Sequence, residues 1–312
     1  MSVVVPATDR PVSLGRCLAA INAATDGPDE LIVVDGPPEL SAARARNAGA
    51  ARATGDVIVF VDADVEIHDD ALTLIRQAFD AAPDLAAVFG SYDQAPAAAG
   101  TVSVFRNLLH HHVHHTGAGR AETFWTGLGA VRRSVFVRVG GFDAERYPHP
   151  SVEDIELGHR LHRHGGRIEL DPRIQGTHLK HWTLRSMVFT DFARRGVPWV
   201  ALQVADRRLS GTLNLGWRHR LSALAALVAV AAVLHRRPSW SAAGAGTFVV
   251  LNRSFYALLR DRGGPAVALL GPGLHALHHL VGAAAVPTGI AVAVATRRRR
   301  LPAPKSATSA VA

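Results

Sequence analysis

Two aspartates follow a run of five strand-forming residues. Val57-Ile58-Val59-Phe60-Val61 leads directly into Asp62-Ala63-Asp64. A buried strand delivers its last residues to the edge of a sheet, and i, i+2 spacing in an extended chain turns both carboxylates to one face. Two hard oxygen ligands on one face suit Mg²⁺ or Mn²⁺ carrying phosphates, although a solvated turn can have the same residues. A second acidic group, Glu153-Asp154-Ile155-Glu156, opens a helical pattern. Carboxylates there complement the helix dipole, or gain a raised pKa when partly desolvated. Further on, Gly176-Thr177-His178-Leu179-Lys180-His181-Trp182 offers an imidazole able to ligate or to pack, and Lys180 could pair with phosphate. The five histidines of His110-His111-His112-Val113-His114-His115 cannot all face one ion from a helix. That tract reads better as a polar, interfacial or acceptor-side segment.

These residues need a scaffold. Ser2–Val5 is a β-branched run stopped by Pro6, and residues 11–25 carry Leu14, Cys17, Leu18 and Ile21 at helical spacing. Glu30–Val34 is a second strand, residues 40–53 an Ala-rich helix, and Val57–Val61 a third strand. Asp69-Asp70 can cap a helix bearing Leu72, Ile75 and Phe79, and Ala86–Phe89 offers a fourth strand. This order predicts a mostly parallel sheet with helices on both faces. Ligands of such sheets bind beyond the carboxyl ends of the strands. That rule selects Pro6–Asp9, Asp35-Gly36 and Asp62–Asp64.

Seven short motifs in register resemble the family 2 glycosyltransferases of the GT-A fold, over about residues 2–200. They are Ser2–Pro6, Leu31–Gly36, Ala45–Gly49, Phe60–Asp64, Gly127–Arg133, Val139–Asp143 and Glu153–Leu157. The resemblance implies that Pro6, Ala7 and Thr8 lie against the nucleotide and that Asp35 holds the base or ribose. It puts Arg46 near the base and diphosphate. Asp62 would touch ribose and metal, and Asp64 would hold the divalent cation, with His178 as a further ligand. Gly127 and Gly129 would line the sugar and acceptor pocket. Asp154, beside Glu153, resembles the catalytic base of inverting members. Chemically this is coherent: the leaving diphosphate needs its charge neutralised, and the attacking hydroxyl needs a base. Processive members carry Gln-x-x-Arg-Trp after the base. Here Arg195-Gly196-Val197-Pro198-Trp199 keeps only the Trp, which points to a single transfer.

The chain has 312 residues, 48% of them hydrophobic and 19% charged, with a net charge of +8. That composition excludes a disordered chain, and the single Cys17 excludes an intrachain disulfide framework. Met1 is followed at once by Ser-Val-Val-Val-Pro, so no signal-peptide pattern opens the sequence. After about residue 215 the character changes. Residues 221–234, 238–251 and 265–295 are nearly charge-free, and a helical crossing needs roughly 20 apolar residues. Arginines flank these runs, which predicts a cytoplasmic catalytic domain and a cytoplasmic tail. An even number of crossings is then required, so either the last segment is a Pro/Gly-broken hairpin or the charge rule fails here. The expected organisation is a GT-A domain at 1–205, a basic linker at 206–220, a membrane region at 221–296 with two to four spans, and a basic, disordered tail at 297–312.

The function expected from this reading is metal-dependent, inverting transfer of a sugar from a nucleotide-sugar donor to a membrane lipid or lipid-linked acceptor. A polyprenyl-phosphate acceptor and a non-catalytic membrane scaffold are the alternatives. Nucleic acid is disfavoured as a partner, because the basic residues cluster by the apolar runs and not on an aromatic groove.

Overall fold

A computed structural model describes residues 1–207 and 216–300. The part of the expected linker at 208–215 and the tail from 301 onward lie outside the described residues.

The α/β part alternates as the sequence predicts. In chain order it runs β1 (Ser2–Pro6), α1 (Leu14–Ala23), β2 (Glu30–Val34), α2 (Ala42–Arg52), β3 (Val57–Val61), β4 (Val65–Ile67), α3 (Ala71–Ala81) and β5 (Leu85–Tyr92). Then come α4 (Thr101–Thr116), β6 (Gly119–Ala121), β7 (Leu128–Arg132), α5 (Arg133–Arg138), α6 (Glu153–Arg163) and β8 (Arg167–His178). Helix α7 (Leu184–Phe189), a π-helical segment (Thr190–Gly196) and α8 (Val197–Asp206) complete it.

Strand order is β2-β1-β3-β7-β5-β8-β4, with β6 also paired to β8. Strands β1, β2, β3, β5 and β8 run one way, whereas the short β4, β6 and β7 run against them. Alternation decides which side each residue covers. Val3, Val5, Val59 and Val61 join Cys17, Ile21, Leu72 and Ile75 on one face. Val4, Ile58 and Phe60 join Ala43, Phe136, Leu157 and Leu161 on the other. Two apolar layers on one sheet fix the register, since a one-residue slip would exchange them.

Two local expectations change. Asp70 occupies the N-cap of α3, but its side chain makes no cap hydrogen bond; the first turn is closed instead by the Ala71 amide donating to the His68 carbonyl at 3.0 Å. Arg167–Leu170 reads in the sequence as a strand from which Gly176–Trp182 folds back, but the segment after Leu170 does not leave the sheet. Strand β8 continues to His178, because β4 pairs along it with Val65 opposite His178.

The C-terminal part is helical: α9 (Trp217–Leu234), α10 (Pro238–Leu251), α11 (Arg253–Arg262) and α12 (Gly264–Arg300). Helices α9 and α12 are long and apolar enough to cross a membrane by length and composition. Helix α10 has 14 residues, about 21 Å, against a hydrocarbon core of roughly 30 Å. The last apolar segment is not a hairpin. Pro272 and Pro287 lie inside one helix of 37 residues, about 55 Å long. It packs against α4, the π-helical segment and α8, while α11 packs on α4. Both ends of α12 therefore meet the α/β part. A third core cluster crosses the expected domain boundary, joining Phe105, Leu109 and Met187 to Phe255, Leu259 and Val267.

Candidate active site

Asp62 and Asp64 do not reach one site by strand alternation. The chain turns between β3 and β4, closed by the Val65 amide donating to the Asp62 carbonyl at 2.9 Å. This turn puts both carboxylates in the wall of one cavity of about 390 Å³. Arg46, Glu153, Asp154, His178 and Lys180 line the same cavity. Four stretches of sequence, separated by tens of residues, thus meet at one place.

Arg46 organises the acidic groups. Its buried guanidinium donates to Asp62 Oδ1 at 2.7 Å and to Glu153 Oε1 at 3.0 Å, tying α2 to the end of β3 and the start of α6. It lies 5.7 Å from the centre of the Phe142 ring. Glu153 Oε2 accepts from the Ser151 amide at 2.7 Å, so both of its oxygens are engaged. That amide precedes α6, and Glu153 combines the dipole-complementing reading with a role inside the site.

Asp154 is held more loosely. Oδ1 accepts from its own helix at the Ile155 amide, 2.8 Å, and Oδ2 lies 3.5 Å from the Thr126 amide. Burial, and next the negative charge of Glu153, push its carboxyl up to about 7 against an ordinary 3.8. A carboxylate with that affinity for protons, on a cavity wall, is suited to general base chemistry near neutral pH.

Asp64 behaves oppositely. Burial alone would raise its pKa, but the hydrogen bond and charge of His178, with Lys180 beyond, outweigh it and keep the group below its usual range. His178 Nε2 is 3.6 Å from Asp64 Oδ2. The pairing of β4 with β8 causes this proximity, reinforced by the Leu179 amide donating to the Asp64 carbonyl at 2.8 Å. The imidazole stacks on Tyr92 with centroids 4.1 Å apart and planes 9° from parallel. An oxygen and an imidazole nitrogen this close, facing a cavity, fit as a partial ligand set for a divalent cation. Among the described residues no three His, Cys, Asp or Glu side chains form a complete set.

The remaining sequence-selected residues flank this cavity. Register aligns Pro6 with Val34, and Val4 with Phe60, so β1, β2 and β3 end at one edge. Ala7 is buried and donates its amide to Val34, Thr8 Oγ1 donates to the Leu40 carbonyl, and Asp35 is exposed beside Arg10 at 3.3 Å. None of these four lines the cavity. Gly127 and Gly129 act through their lack of a side chain. A Cβ on Gly127 would lie 2.1 Å from the Trp125 ring, and one on Gly129 would lie 2.2 Å from the Trp125 carbonyl. The Gly127 carbonyl accepts the Asp62 amide at 3.1 Å.

The histidine tract packs. His111 and His114 meet the β5 carbonyls of Tyr92 and Gly90 through Nδ1 at 2.9 and 2.8 Å. Burial, followed by nearby positive charge, pushes His110 well below its ordinary range, and burial takes His114 down to about 4. The His110 ring packs tilted and the His114 ring edge-on against Trp125, and both form part of the cavity wall.

The residues missed by sequence reasoning come from far along the chain. Arg106 of α4 lines the cavity and pairs at 2.6 Å with buried Asp191 of the π-helical segment. Asp191 also binds His278 Nδ1 of α12 at 2.7 Å. Positions 106, 191 and 278 carry no spacing signal. Tyr92, at the end of β5, was accessible to the strand-end rule that selected Asp35.

The glycosyl transferase family 2 profile matches residues 38–139. A comparison with curated protein sequences finds no match. Similar solved structures include the mannosyltransferase PcManGT from Pyrobaculum calidifontis in complex with GDP-Man and Mn²⁺, at 16% identity and TM-score 0.49, covering 96% of this chain and 86% of that one. S. aureus TarS 1-349 in complex with UDP-GlcNAc is similar at 14% identity and TM-score 0.46, covering 97% and 93%. Glucosyl-3-phosphoglycerate synthase from Mycobacterium tuberculosis, in complex with Mn²⁺, UDP-glucose and phosphoglyceric acid, is similar at 19% identity and TM-score 0.40, covering 60% and 73%. The family profile spans α2, β3 and the turn that carry Arg46, Asp62 and Asp64.

Proposed function

We propose that the protein is a metal-dependent, inverting glycosyltransferase that moves one sugar from a nucleotide-sugar donor to a membrane lipid or lipid-linked acceptor. The observation that carries this reading is the meeting of Arg46, Asp62, Asp64, Asp154 and His178 in one cavity, with Asp154 raised to about 7 and Asp64 held ionised. Asp64 and His178 would hold a Mg²⁺ or Mn²⁺ ion, with Asp62 contacting ribose and metal. The ion supplies charge neutralisation for the leaving diphosphate. Pro6, Ala7, Thr8 and Asp35, at the β1–β2 edge, are assigned to the nucleotide.

With a hydroxyl acceptor, Asp154 takes its proton; a lipid phosphate is already ionised and attacks through its own oxygen without that step. The oxygen forms its bond to the anomeric carbon from the face opposite the diphosphate. The old carbon–oxygen bond breaks, and its electron pair leaves with the nucleoside diphosphate. Glu153, held by Arg46 and the Ser151 amide, lies next to Asp154, whose basicity its negative charge raises.

Membrane attachment is supported by Leu221, Leu224, Val233, Leu269 and Leu270, which are large, apolar and exposed on the two long helices. Arg218 and Arg220, at the start of α9, favour a cytoplasmic catalytic domain. Contact of α11 and both ends of α12 with that domain supports an even number of crossings. One observation favours a lipid phosphate over a hydroxyl acceptor: Arg106, Lys180, Arg194 and Arg195 also line the cavity.

The test is incubation of the purified full chain with a panel of nucleotide sugars and native membrane lipid extract, read by mass spectrometry. The expected result is one hexose-sized mass added to a lipid, dependent on divalent cation. Donor turnover with no glycosylated lipid would refute the acceptor class.

A further inference from the structure

A second cavity, of about 720 Å³, lies beside the first, between α8, the end of α12 and the loop before α6. Ser151 and Arg194 belong to both walls, so the two cavities meet within three residues of Asp154 in sequence. The long walls are apolar, with Val197, Ala201 and Val204 facing Val292 and Val294. The polar lining is one-signed. Arg146, Arg194, Arg207 and Arg297 contribute, and among the described residues no Asp or Glu does. Tyr147 also lines this cavity, is 7% exposed, and its hydroxyl has no hydrogen-bond partner among the described residues. Its ring packs with Val152 and Leu202, joining the catalytic loop to α8.

An apolar channel whose charged rim is made of four guanidinium groups, with His149, Ser151 and Thr296 beside them, is complementary to an anionic amphiphile. A free sugar would leave the valines unused, and a neutral lipid would leave the arginines unpaired. Building on the proposed function, we infer that this groove holds the hydrocarbon chain of a lipid-phosphate acceptor. The chain lies between α8 and α12, and the phosphate headgroup passes Ser151 and Arg194 into the catalytic cavity. Arginine suits this headgroup, because its planar fork binds phosphate through two parallel hydrogen bonds. The Tyr147 hydroxyl is available as an additional donor.

The probe is a C15 prenyl phosphate with a diazirine in its hydrocarbon chain, irradiated with the full-length protein in detergent and mapped by peptide mass spectrometry. Labelling is expected within residues 197–205 and 292–297. Unlabelled prenyl phosphate should suppress it, and equimolar inorganic phosphate should not. Ala201→Trp fills one wall and Val294→Trp the other; either should weaken prenyl-phosphate binding by about tenfold or more. Nucleotide-sugar affinity, measured by calorimetry on the same samples, should stay within about twofold and reports on folding and on the enzyme assignment separately. Labelling confined to α9 and α10, suppression by inorganic phosphate alone, or undiminished binding in both tryptophan variants would overturn the groove.

Discussion

Asp35 and Asp62 occupy equivalent places, each directly after a buried strand of the same sheet. Their surroundings differ. The Asp35 side chain is 61% exposed and pairs with an equally open Arg10, whereas Asp62 is held by a guanidinium that is itself only 6% exposed. At the neighbouring helix start, the Glu153 side chain is 6% exposed. The strand pattern places a carboxylate at the edge of the sheet. Its depth is set by what packs over that edge, here α4, the π-helical segment and α8, all remote in sequence. Depth has chemical consequences, because burial disfavours the charged form of a carboxyl and strengthens the pull of the charges around it.

This contrast orders the expected effects of substitution. With a hydroxyl acceptor, Asp154→Asn should lower kcat by roughly 10²–10⁴-fold, the usual worth of a general base, with donor Kd nearly unchanged; with an already ionised lipid phosphate the loss should stay below about tenfold. The same change should raise Tm at alkaline pH. Folded Asp154 binds its proton more tightly than the unfolded chain does, so stability falls as pH rises from 3.8 to about 7, and the full penalty remains, unchanged, above that. Asp64→Asn should follow, with kcat/KM down by about 10²-fold and a reduced response to added Mn²⁺ in a metal titration. Asp191→Asn should act through Arg106. Leaving that buried guanidinium with a neutral partner should destabilise the protein by about 3–5 kcal/mol, visible as a lower denaturant midpoint, and slow transfer by about tenfold. The smallest effect belongs to Asp35→Asn. An exposed pair of this kind contributes at most about 1 kcal/mol, so donor KM should change by no more than about fivefold. An effect of Asp35→Asn as large as that of Asp154→Asn would break the distinction between the two parts of the edge.

The elements of the sheet were legible because alternation and short strands leave strong local patterns. Val3, Val4 and Val5 already specify two opposite faces. The motif residues were legible as well, but not always for the right physical reason: Asp62 and Asp64 meet through a turn, not through an extended chain. His178 could be placed beside Asp64 only once β8 was known to pair with β4 as far as its last residue. Arg46 appeared as a donor contact, and its bridge between Asp62 and Glu153 depends on the crossing of α2 over the end of β3. The Arg106–Asp191–His278 link had no local signature at all, because each member lies on a different helix. In the last segment, proline and glycine suggested a break. The packing of α12 along α4, the π-helical segment and α8 keeps it one helix.

The pH dependence of kcat/KM for transfer to lipid extract tests the central claim most directly, measured for the native chain beside Asp154→Asn and Glu153→Gln. The native enzyme should show an acid limb with an apparent pKa of about 7, the value to which burial and Glu153 push Asp154. Rates should fall about tenfold per pH unit below it. Asp154→Asn should flatten this limb, and Glu153→Gln should move it to lower pH by removing the adjacent negative charge. A native profile flat from about pH 5 to about pH 8, or a limb that survives in Asp154→Asn, would contradict the assignment of Asp154 as the base.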